Sequence, residues 1–189
     1  NMLMISLINK NIDCNNNLII TYPKTVKILF GNFNHLDIIH NLLIEIKNNI
    51  NETMNSLTNV KGGMTKWNHL IENKYFNTFF QYLIHKHQFD SPEVFERFYE
   101  KFVVHNAWGN EIKKGDSLKQ HMHPCIHGIL YLTKGCELEL PELNIKINPN
   151  PGDYYILPLD IKHGFEPSKN KENRYSVVFN IMPKSKGLL

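Results

Sequence analysis

From residue 103 onward the chain is written as short apolar runs closed by turn residues, and this restricts its second half to a sheet-rich fold. The runs span 103–108, 118–123, 128–133, 137–140, 144–147, 154–157, 163–166 and 175–181. Lys114-Gly115-Asp116, Lys134-Gly135, Pro151-Gly152-Asp153 and residues 169–173 punctuate them with glycine, proline, asparagine and aspartate, which favour turn conformations. Eight short strands at near-even spacing predict a β-sandwich or barrel.

The first half has a different period. Two β-branched runs, 18–22 and 26–30, flank Pro23 and predict short strands. Leu36, Ile39, Leu43, Ile46 and Ile50 recur at helical spacing and predict a helix over 36–49. Residues 51–63 are polar and end in Gly62-Gly63, a loop signal. Trp67, Leu70, Ile71, Phe79, Phe80, Leu83 and Ile84 mark a second amphipathic helix, interrupted near Asn73. Ser91-Pro92-Glu93 combines a cap, a first-turn proline and an early acid, so a third helix is expected to run to Lys101 with Val94, Phe95, Phe98 and Phe102 as its buried face. At 189 residues, 42% of them hydrophobic, the chain suits one domain: 1–102 supporting, 103–183 as the core.

Charge and cysteine content narrow the function. A net charge of +3, with lysines scattered rather than gathered in a stripe, gives no support for a nucleic-acid partner. Cys14, Cys125 and Cys136 are odd in number and irregularly spaced. No apolar stretch has the length of a signal-peptide core or a membrane span, so a reducing cytoplasmic setting is expected. Alanine occurs only at Ala107 and arginine only at Arg97 and Arg174, in a chain rich in asparagine, isoleucine and lysine. Where lysine is the ordinary cation, each arginine carries information.

His121-Met122-His123 sets two imidazoles two residues apart, and alternate residues of an extended strand share a face. His163 follows a turn, a strand and Pro158, a layout that can return a distant ligand to the same cavity. Three imidazoles suit Fe(II) with several positions left open for substrate or dioxygen; zinc with a water is the other sensible occupant. His127 is a reserve ligand, an even number of residues from both earlier histidines, with Pro124 breaking the strand between.

Trp108-Gly109-Asn110, Gly115, His121-Met122-His123-Pro124 and Gly128-Ile129-Leu130-Tyr131-Leu132 resemble the core of a 2-oxoglutarate and Fe(II)-dependent oxygenase family of bacteria and phages. The resemblance continues through Pro151, Asp153, Pro158, His163 and Pro167 to the run from Arg174 to Ile181, and covers about 106–183. It implies a double-stranded β-helix, a jelly-roll or cupin-like barrel, flanked by about three α-helices. It also implies Fe(II) on His121, His123 and His163, with Arg174 and Ser176 binding the far carboxylate of 2-oxoglutarate. A guanidinium matches a carboxylate as a planar fork, which an ammonium does not reproduce. Tyr131 is expected to help hold the cosubstrate, and Trp108, Asn110 and Asn180 to line the pocket. The implied activity is oxidation, most simply hydroxylation, of a small-molecule or peptide substrate by dioxygen, with 2-oxoglutarate decarboxylated to succinate. The wider superfamily has an aspartate where this chain has His123.

The same residues also resemble a cupin. Gly115, five residues and His121-x-His123 fit its first motif; Gly152, five residues, Pro158 and His163 fit its second. The glutamate of the first motif is absent, with His127 near its place, and Asp160 and Pro167 stand where the second prefers glycine and asparagine. That resemblance implies a metal-dependent dioxygenase or isomerase with no need of a keto acid. A non-catalytic ligand-binding barrel is the third possibility. The helices before the barrel offer a surface for homo-oligomerisation.

Overall fold

The computed structural model describes residues 2–7, 11–14, 18–21, 24–51, 59–88, 102–135, 137–159 and 161–183. Four strands open it: β1 (Met2–Leu7), β2 (Asn11–Cys14), β3 (Leu18–Thr21) and β4 (Lys24–Asn32). Helix α1 (Leu36–Asn49), the two-residue strands β5 (Val60–Lys61) and β6 (Gly63–Met64), and helix α2 (Lys74–Gln88) follow. The remainder is β7 (Phe102–Ile112), β8 (Ser117–His121), β9 (Ile126–Tyr131), β10 (Leu138–Leu140), β11 (Ile145–Ile147), β12 (Asp153–Leu157), β13 (His163–Phe165) and β14 (Arg174–Pro183).

A seven-stranded sheet runs β1-β4-β12-β9-β14-β7-β6 and a five-stranded sheet runs β11-β10-β13-β8-β5, every pairing antiparallel. Alternation along the central strands sends side chains to opposite faces of the larger sheet. Tyr175, Val177, Phe179 and Ile181 join Leu130 and Ala107 in a core against Leu42 and Ile46 of α1 and Phe76, Phe79 and Leu83 of α2. Val178, Ile129, Tyr131 and Trp108 turn the other way and pack with Leu138 and Leu140 of the smaller sheet. Two sheets thus pack face to face with helices behind the larger one, an architecture consistent with a jelly roll.

Helix α1 has the bounds its periodicity predicts. The interruption near Asn73 is the cap of α2: its Oδ1 accepts from the backbone N–H of Tyr75 at 2.9 Å and of Phe76 at 3.2 Å. Trp67 accordingly lies in the turn before α2, not on the helix. Strands β5 and β6 sit at and beyond the end of the segment expected to be loop. They are two residues each, too short to form through strand propensity alone, and they form because β8 and β7 offer edges to pair with. The third predicted helix, Cys136 and Asp160 lie outside the described residues, among which there are two α-helices. No described helix is long and apolar enough to cross a membrane.

Two glycines hold the larger sheet in place. Gly152 has φ +88°, in the turn that connects to β12, and its backbone bonds both to Tyr131 (N–H to O, 2.7 Å) and to Phe33 (O from N–H, 2.8 Å). Gly128 pairs with Phe179 across β9 and β14, and any Cβ there would overlap the Phe179 ring. That ring is itself wedged edge-on among Phe76, Phe79 and Phe80, with centroids 5.6, 6.0 and 5.9 Å away. Gly128→Ala should therefore lower stability by about 1–3 kcal/mol through overpacking, read as a reduced urea midpoint; an unchanged midpoint would mean that the aromatic cluster yields freely.

Candidate metal centre

The central geometric fact is a cross-strand pair. Strands β8 and β13 run antiparallel with His163 opposite His121, which brings residues 42 positions apart to a ring–ring distance of 4.5 Å. His123 joins them by a different route from the expected strand alternation. Strand β8 ends at His121, and the chain bends over 122–125 before β9, directing the His123 ring to 4.8 Å from His121 and 5.2 Å from His163. One ligand atom from each of the three lies within 4.8 Å of the others.

Hydrogen bonds orient two of these rings. His121 Nδ1 meets the Lys119 carbonyl at 2.9 Å and His163 Nδ1 meets the Ile161 carbonyl at 3.2 Å. A carbonyl can only accept, so each Nδ1 carries the proton and each Nε2 keeps its lone pair, the usual arrangement of ligating histidines. His121 Nε2 and His123 Nε2 are 3.0 Å apart. Two nitrogens each roughly 2.1 Å from one ion, at a right angle, would be separated by roughly this distance.

Burial sets the protonation state. Desolvation is the main cause throughout: it lowers the His121 pKa, takes His123 down to about 4 with repulsion from His121 assisting, and takes His163 down to about 3. The imidazoles are therefore neutral at pH 7, as metal ligation requires. The donor set fits a borderline divalent ion such as Fe(II) or Zn(II), and no carboxylate belongs to it.

The triad opens on a cavity of about 360 Å³ whose lining also includes Trp108, Asn110, Tyr131, Arg174 and Ser176. Arg174 is 5% exposed, with its guanidinium carbon 4.5 Å from the Phe165 ring centre and 5.3 Å from that of Tyr131. Ser176 lies opposite Tyr131 in the β14–β9 register, and Arg174 two residues earlier on the same face. Trp108 Nε1 donates to Asn110 Oδ1 at 3.1 Å, fixing both on the wall. Arg174 is the one Lys, Arg, Asp or Glu among the described lining residues, so the cavity favours an anion.

Asn180 departs from expectation. It is not on the cavity wall, because its side chain is engaged with His127 Nδ1 at 2.8 Å and Asn106 Oδ1 at 2.8 Å. His127, the reserve ligand, is 4% exposed and lines the cavity, outside the close triad. Phe165 and Trp67 are among the wall residues that the sequence motifs do not single out. Phe165 had a legible signal, lying two residues beyond His163 on the same strand. Trp67, whose spacing fits a helix stripe, stands instead at the cavity, 37% exposed and edge-on to Trp108 at 4.7 Å.

No protein-family model matches the sequence, and no curated protein matches it. Solved structures do match the fold. The viral collagen prolyl hydroxylase vCPH from Paramecium bursaria Chlorella virus-1, in its 2OG complex, is 14% identical with a TM-score of 0.60, covering 82% of this chain and 94% of that one. HygX from Streptomyces hygroscopicus, with nickel and 2-oxoglutarate bound, is 11% identical with a TM-score of 0.61, covering 84% and 83%. A Pseudomonas putida prolyl-4-hydroxylase is 14% identical with a TM-score of 0.55, covering 82% and 91%. At these identities the likeness is one of architecture: the chain has the fold of the 2-oxoglutarate/Fe(II) oxygenases.

The neutral imidazoles give a pH signature in metal-free protein. Below about pH 6.5 the unfolded chain takes up protons that folded His163 refuses, so stability falls as pH falls toward the folded-state value. In chelator, the wild type should lose its urea midpoint faster than His163→Gln between pH 6.5 and 4, and the two curves running parallel would show that His163 is not desolvated.

Proposed function

We propose that this protein is an Fe(II)- and 2-oxoglutarate-dependent oxygenase that hydroxylates an unidentified small-molecule or peptide substrate, with 2-oxoglutarate decarboxylated to succinate. The observation that carries the reading is a buried arginine lining the same cavity as three converging imidazoles, in a fold shared with structures that hold 2-oxoglutarate.

His121, His123 and His163 would hold the iron, which when bound supplies the capacity to activate dioxygen. Arg174 contributes recognition: its planar fork pairs with the far carboxylate of the keto acid, and the low polarity around Phe165 and Tyr131 strengthens that pairing. Ser176 and Tyr131, neighbours across β14 and β9, offer hydroxyl donors beside it. Trp108, held by Asn110, and Trp67 form an aromatic wall that excludes water and positions the substrate. Orientation and exclusion of solvent are the chain's own contributions; the hard chemistry belongs to the bound groups.

A second reading is a metal-dependent dioxygenase or isomerase of the cupin kind that uses no keto acid. What favours it is the triad itself, in which an imidazole stands where the oxygenase superfamily usually has a carboxylate. The two readings separate in anaerobic protein. Adding Fe(II) and 2-oxoglutarate should produce the weak visible charge-transfer band of the chelate, with succinate formed on admitting air; neither signal would leave the cupin reading. Arg174→Lys should raise the 2-oxoglutarate concentration needed for half-maximal band intensity roughly ten- to a hundredfold, the value of a charge-assisted pair. An unchanged requirement would remove Arg174 from that role.

A further inference from the structure

One buried imidazole beside the triad has no part in the chemistry described so far. His127 is the first inward-facing residue of β9, and the sheet register places it opposite Asn180 of β14, which in turn lies opposite Asn106 of β7. The three side chains form a row across three adjacent strands. Asn180 Nδ2 donates to Asn106 Oδ1 at 2.8 Å, which turns the Asn180 amide so that its Oδ1 faces His127 Nδ1, also at 2.8 Å. An amide oxygen has no proton to give, so Nδ1 must donate. A neutral imidazole has one N–H, and Nε2 is left as a lone pair.

Burial alone asks only that the His127 N–H find an acceptor; the relay through Asn106 goes further and fixes which atom of the Asn180 amide faces the ring, and with it the tautomer. His121 and His163 show the same arrangement, with Nδ1 committed to a fixed oxygen and Nε2 released. His127 lines the same cavity, with its ring 4.0 Å from that of His123 and 4.9 Å from that of His163. It lies outside the set whose ligand atoms are all within 4.8 Å, so joining it requires a side-chain movement into the cavity.

We propose that His127 is a fourth nitrogen donor to the metal ion held by His121, His123 and His163, kept in its ligating tautomer by Asn106 and Asn180. The proposal rests on the metal-site reading and is independent of 2-oxoglutarate. It assigns a purpose to the buried Asn180 and the half-buried Asn106 that orients it, and it makes up for the missing carboxylate with a neutral donor, so the bound ion keeps its full positive charge.

The test uses Cu(II) alone on the full chain, with nitrogen donors counted by electron paramagnetic resonance and affinity measured by chelator competition. The wild type should show four nitrogens. His127→Phe, which keeps a ring in the stack but has no nitrogen, should show three and bind more weakly. Asn180→Ala should keep the fold and lose roughly ten- to a hundredfold in affinity, the usual cost of removing an orienting partner. Three nitrogens in the wild type would overturn the proposal whether or not His127→Phe folds, as would an unchanged count and affinity in a folded His127→Phe. Because no keto acid is present, failure here is distinct from failure of the charge-transfer titration: four nitrogens without a keto-acid band would sink the oxygenase reading alone.

Discussion

The register of β14 between β9 and β7 is the constraint on which the rest of the molecule depends. Its odd and even positions do different work: Tyr175, Val177, Phe179 and Ile181 seal the sheet against the helices, while Arg174, Ser176, Val178 and Asn180 face the space between the sheets. A slip by one residue would exchange the two sets, driving a guanidinium into the phenylalanine cluster and phenylalanine into the cavity. The helix-side core thus specifies the cavity-side chemistry. Phe179 over Gly128 acts as a register pin, since only that pairing leaves room for the ring.

The smaller sheet plays the complementary part. Pairing His163 with His121 makes two candidate ligands neighbours across the strand ladder, and the bend after β8 adds the third. Burial then removes the charge that four close imidazoles would otherwise accumulate. The site is therefore neutral on its imidazole side and positive at Arg174, a polarity suited to binding an anion beside a cation. The two sheets bring separate halves of this arrangement to one cavity.

Much of this was legible in the sequence where period and spacing carry physical meaning. The helix at 36–49 and the eight runs after residue 103 followed from periodicity and turn residues, and residue type with spacing singled out His121, His123 and His163 as a set. What escaped was set by partners rather than by local pattern. Strands β5 and β6 exist through the edges they join, and His123 reaches the triad through a bend, not through strand alternation. The family resemblance implies Asn180 as a wall residue, but Asn106 and His127, each on a neighbouring strand, claim its amide. Trp67 fitted a helical stripe, and only the cap at Asn73 shows that the helix begins after it.

The aromatic wall has an optical consequence. The chain contains two tryptophans, and both border the cavity, in edge-to-face contact with one another. Indole emission from this chain therefore originates at the wall of the site, undiluted by indoles elsewhere. A paramagnetic or coloured ion seated among the imidazoles would quench that emission, giving the molecule an intrinsic gauge of how full its centre is.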